Sequence, residues 1–177
     1  MSDVVMVHTI VSDVSRVIEV AGKVLAKASE ILVNTDRPDC TGGYLAWTDS
    51  NGIPFIAGLM WGSMPADKAV KRQETALEKA TRLALHNLHR TSYRSRNPKA
   101  VVIIDGVEVL RPRWGGAIRA GADILSFSGF PEKWDEAAMF VLAIKLGWIS
   151  RDDVFRHISP KRNPHLRPLL EACHWTE

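Results

Sequence analysis

Two glycine turns carry the clearest invitation to a ligand in this chain. Trp114-Gly115-Gly116 and Ser128-Gly129-Phe130-Pro131 flank one predicted strand unit, and the second runs straight into a predicted helix. Backbone N–H groups at a helix start have no partner within the helix and attract carboxylates or phosphates. Arg111, Arg113 and Arg119 lie close in sequence and offer guanidinium forks for charge-assisted contacts. The same glycines would also serve simply to turn the chain. His86 and His89 stand three apart near the end of a predicted helix, with both rings on one side. That spacing suits a metal or a haem iron, and equally suits histidines serving a helix macrodipole. Asp49, Arg72, Asp135 and Glu136 are the types an acid–base set needs, yet nothing in their spacing makes them converge, and surface ion pairs explain them as well. No Gly-x-x-x-x-Gly-Lys-Ser, Gly-x-Gly-x-x-Gly, His-Glu-x-x-His or Gly-x-Ser-x-Gly pattern occurs, so phosphate loops, zincins and hydrolase elbows have no support.

The elements that must position these residues follow from periodicity and turn chemistry. Val4 to Val11 reads as strand or helix; Ser12 offers a cap, and Val14, Val17, Ile18, Ala21, Val24, Leu25, Ala28, Ile31 and Leu32 then trace the buried stripe of a helix over 13–33. Asp49-Ser50-Asn51-Gly52 separates two apolar runs, as does Asp105-Gly106, and both read as hairpins because such residues accept positive φ cheaply. Ser63 and Pro65 open a second helix, whose inner stripe from Ala69 to Leu88 leaves Lys68, Lys71, Arg72, Lys79, Arg82 and Arg90 largely elsewhere and ends near His89. Further strands at 117–120 and 124–127 lead to a third helix over 131–146 closed by Gly147, and Ser150-x-x-Asp153 caps a short helix over 151–157. Strands joined by tight turns favour an α+β fold: a central antiparallel sheet of about five strands with helices packed against it. Residues 1–158 read as one domain and 159–177 as a basic, Pro-rich C-terminal tail whose Leu166, Leu169 and Leu170 could dock on a neighbouring subunit.

Composition sets the class. With 177 residues, 46% apolar and 24% charged, the chain is a globular domain large enough to build a core without staples. Cys40 and Cys173, 133 positions apart and without CxxC spacing, read as buried or idle thiols. The apolar runs are far short of a bilayer span and the acidic Met1-Ser2-Asp3 start is unlike a secretory signal, so a cytoplasmic protein without membrane partners is expected. Residues 68–119 hold 12 Lys/Arg against 4 Asp/Glu, a +8 middle third beside a −4 first third and a −1 last third. Such a bias marks an anion surface or a solvated helix face; with Tyr93 nearly alone among aromatics there, nucleic acid is not the expected partner.

Five motifs in order resemble the GlcG/HbpS-like family: Asp49-Ser-Asn-Gly52-Ile-Pro54, Arg72-Gln-Glu-Thr75-Ala76, Gly115-Gly116-Ala-Ile118, Ser128-Gly129 and Asp135-Glu136 before a helix. Arg72 stands where the family motif has lysine, and Ala117 precedes a missing proline. The resemblance spans about residues 12–147. It implies a profilin-like fold, homo-oligomers and, in some relatives, haem or corrinoid binding, with no catalytic residue to carry over. The expected function is a homo-oligomeric module binding a small anion, haem or a related tetrapyrrole being the one the resemblance implies, at Gly115, Gly116, Ser128, Gly129 and Asp135. Arg72 and Arg113 would meet its carboxylates, and His86 or His89 its iron. The alternatives are an assembly module without a small ligand, built on tryptophan and arginine contacts, and an enzyme of unassigned activity.

Overall fold

A computed structural model describes residues 2–35 and 37–174, with 2–12 as backbone alone. Its elements are α1 (Ser2–Val33), β1 (Gly42–Asp49), β2 (Pro54–Gly62), α2 (Ala66–Ala84), β3 (Val101–Ile104), β4 (Val107–Leu110), β5 (Ala117–Ala120), β6 (Asp123–Ser128), α3 (Glu132–Lys145), α4 (Arg151–His157) and α5 (Leu166–Ala172). The central sheet is antiparallel in the order β2-β1-β6-β5, and β3-β4 forms a separate ribbon. Four strands therefore make the sheet, and a single bridge from Thr91 to Ile118 occupies the position beyond β5. The arrangement is α+β, with helices packed on the sheet, consistent with a profilin-like architecture.

Side-chain alternation along β6 decides which helix covers which face. Leu125 and Phe127 join the larger core with α1, α3 and α5, whereas Ile124 turns to the smaller cluster with Ala80, Leu83 and Ala84 of α2. Small residues let α2 lie close on its face: Ala76, Ala80 and Ala84 recur at helical spacing, and Ala46, Ser126 and Ala117 are all buried. The molecule thus has three layers, α2 on one side of the sheet and α1, α3 and α5 on the other.

Local turn chemistry places the hairpins where the sequence predicts them. Asp49 Oδ1 accepts from the Asn51 and Ile53 amides at 2.9 and 2.8 Å, closing the β1–β2 turn. Asp105 and Gly106, both at positive φ, close β3–β4. Ser150 Oγ accepts from Asp153 N at 3.1 Å and caps α4 as its spacing predicts. Three expectations change. Ser12 is no cap, because α1 runs from Ser2 and takes in the stretch that read as strand or helix. Helix α2 ends at Ala84 instead of near His89: Leu85 and Leu88 are solvent-exposed, so the inner stripe has run out. The apolar end of the C-terminal segment docks on the chain's own core, where Leu166, Leu169, Leu170 and Cys173 are buried against α3; residues 175–177 lie outside the described residues. Among the described residues no helix is long and apolar enough to cross a membrane.

Candidate functional site

At one end of the sheet, where β5 begins and β6 ends, the chain assembles a buried polar centre. Lys79 leaves α2 and reaches through to the other layer. Its Nζ donates to Asp135 Oδ2 at 2.7 Å and to the Phe127 carbonyl at 2.9 Å, and both charged side chains are 1% exposed. Asp135 Oδ1 in turn accepts the Phe130 amide at 2.9 Å and, more weakly, the Gly129 amide at 3.4 Å. Burial pushes the Asp135 carboxyl above the usual carboxylate range, against the pull of the Lys79 ammonium and the Phe130 amide. Gly116, at φ +117°, leaves room for the pair: a Cβ there would fall 2.6 Å from Asp135 Cβ and 3.0 Å from Lys79 Nζ. Ser126 and Ser128 lie near in sequence to this end of β6, and each has a buried hydroxyl without a hydrogen-bond partner.

Gly116, Ser128, Gly129 and Asp135 therefore do come together, but not as an open anion site. The turn amides that were expected to hold a ligand already hold the chain's own carboxylates. Asp135 takes those of Gly129 and Phe130, and Glu132 Oε2 takes that of Gly115 at 2.8 Å. Arg96 completes the second arrangement by donating its Nε to Glu132 at 2.8 Å. Arg72, two turns before Lys79 on α2, is half-buried and close enough to bias Asp135 and the Cys40 thiol electrostatically.

Two cations assigned to the outer face of α2 are in fact buried. Besides Lys79, Arg82 is 6% exposed, pairs with Glu78, and donates to the carbonyls of Ser92, Ser95 and Trp114. Long stems let such side chains run beside a helix to distant partners, so helical spacing alone misplaces them. Arg162 and Asn163, which the sequence left in the tail, bind the buried Glu136 at 3.0 and 2.9 Å. Asp135 and Glu136, adjacent in sequence, thus serve different partners, while Asp49 sits in the β1–β2 turn. No acid–base set forms from them.

Arg113 is exposed and lines a cleft of about 700 Å³ between α2 and the β3–β4 ribbon. Val102 and Val109 of the ribbon, with Trp114, form apolar walls, and Lys71 and Arg111 stand beside Arg113. His86 and His89 lie elsewhere, past the other end of α2. The α2 part of the cleft wall runs from Asp67 to Glu78, and neither histidine lines the cleft. Their rings stack on each other with centroids 5.1 Å apart. The cleft and the histidines therefore do not combine into one haem site with an axial ligand. Among the described residues no group of three His, Cys, Asp or Glu side chains is placed to hold a metal ion. Cys40 and Cys173 are free and buried, and burial pushes both thiols up, Cys173 to about 11.

Comparison with family models, with curated proteins and with solved structures found no match to this chain.

Proposed function

We propose that this protein is a small-ligand-binding module whose ligand is an amphipathic organic anion held in the cleft between α2 and the β3–β4 ribbon. The observation that carries the reading is the cleft: about 700 Å³, apolar along Val102, Val109 and Trp114, and rimmed by Lys71, Arg111 and Arg113. Its size falls within the range of small-molecule sites, and an apolar body with a few placed charges is the usual composition of such sites. Acids line it too: Glu78 is held by the buried Arg82, Glu74 lies 3.7 Å from Arg111, and Asp67 sits in the first turn of α2. Arg113 has no ion-pair partner among the described residues. The resemblance to the GlcG/HbpS-like family supports a tetrapyrrole carboxylate as the first ligand to try, bound by its ring and its carboxylates and not through His86 or His89.

Titration with haemin and with iron-free protoporphyrin tests this. Both are expected to bind with similar affinity. Lys71→Ala with Arg113→Ala should weaken each roughly tenfold or more, as loss of charge-assisted bonds does. His86→Ala with His89→Ala should change neither. Absence of saturable binding, or binding that survives loss of the two cations, would overturn the reading.

A second reading, self-assembly, is favoured by one specific feature. Phe55, Leu59 and Met60 are exposed on the β2 edge, and Val101, Ile103, Ile104, Val107 and Leu110 on the ribbon. Apolar edges of this kind are pairing sites. A monomeric mass by light scattering across a wide concentration range would remove it.

A further inference from the structure

A second cleft, of about 400 Å³, opens at the other end of the sheet, beside the turn between β5 and β6. Arg90, Arg119, Trp148, Ile149 and Asp153 form its wall. Arg90 is already engaged, its Nη1 and Nη2 donating to the two oxygens of Asp153. Arg119 is tethered by a single side-chain bond, Nη2 to the Leu83 carbonyl at 2.8 Å in the last turn of α2, and its Nε is buried without an acceptor. Three other inward-facing cations have an acid: Asp135 for Lys79, Glu78 for Arg82, Glu136 for Arg162. Among the described residues none pairs with Arg119, and burial alone draws its pKa down. That is the signature of a cation partly removed from water with no counter-charge supplied.

We propose that this cleft binds a small aromatic monocarboxylate, with its carboxylate taken by Arg119 and its ring laid against Trp148 and Ile149. The charge of the wall selects a monoanion: two guanidinium groups face one carboxylate, leaving one positive charge to balance. The apolar side selects an organic body over a bare inorganic ion. Trp148 is also preorganised, since its ring packs against Trp47 with centroids 5.2 Å apart on the core side. The site is independent of the cleft beneath the ribbon, which shares none of these residues.

The test is a titration of the native chain with benzoate, followed through the Arg Nε–H and Trp indole N–H signals in nitrogen–proton NMR spectra. Saturable shifts of the Arg119 and Trp148 signals are expected. Benzamide, isosteric but neutral, and inorganic phosphate should each bind at least roughly tenfold more weakly. Arg119→Gln should abolish binding, and Arg119→Lys should weaken it roughly tenfold, because it keeps the charge and loses the fork. Arg113→Ala should leave benzoate binding unchanged. No saturable shift in the native chain would overturn the site. Phosphate binding as tightly as benzoate would overturn the ligand class. Loss of binding in Arg113→Ala would assign the effect to the other cleft.

Discussion

Lys79 is the residue on which most of the molecule's inner chemistry turns. A buried ion pair adds little net stability over an apolar pair of the same volume, but removing one partner strands the other charge. Lys79→Met should therefore destabilise the fold by about 3–5 kcal/mol in urea unfolding, and adding Asp135→Leu should recover much of the loss. Gly116→Ala is expected to behave like a milder version of the same defect, since its Cβ would crowd Asp135 and its positive φ disfavours any side chain. Cys173 gives a pH signature. Its folded pKa, about 11 against an ordinary 9.0, lets the unfolded chain release the thiol proton first. Stability should then fall as pH rises from 9 to 11, and Cys173→Ala should flatten that slope. The sequence pointed to Gly116, Gly129 and Asp135 because turn glycines and a helix start are local features. It could not show that Asp135 itself fills the anion position, because its cation lies 56 positions away on another helix.

At the scale of elements, legibility followed the range of the causes. The β1–β2 and β3–β4 hairpins were readable because an Asx turn and a pair of positive-φ residues fix the chain within four positions. The stop of α2 was not, since Leu85 and Leu88 continue an apolar rhythm that no surface covers. Helix α5 was hidden by Pro160 and Pro164 before it and by Pro168 in its first turn. What places it is distant: Arg162 and Asn163 on Glu136, then Leu166 and Leu169 on α3. Leu169→Ala should cost about 2–5 kcal/mol, the usual range for a buried leucine, as measured by chemical denaturation. Cutting the chain after 158 should yield a protein that aggregates or unfolds at lower temperature, because the removed segment covers the core.

For the whole molecule, the uneven charge of the three sequence segments is partly offset by folding. Cations of the +8 middle segment meet acids of the last: Lys79 with Asp135, Arg90 with Asp153, Arg96 with Glu132. These three pairs offset three of the eight excess charges, and Lys79 and Asp135 do so inside the molecule, out of reach of any ligand. The Lys79–Asp135 contact has one more consequence, for motion. It is a latch between the helix on one side of the sheet and the helices on the other, so α2 cannot lift away without leaving a bare ammonium and a bare carboxylate in the interior. Amide hydrogen exchange in α2 and at the start of α3 should accordingly be governed by one shared opening event, close in free energy to global unfolding. In the Lys79→Met, Asp135→Leu double variant the two helices should exchange independently, with α2 opening first.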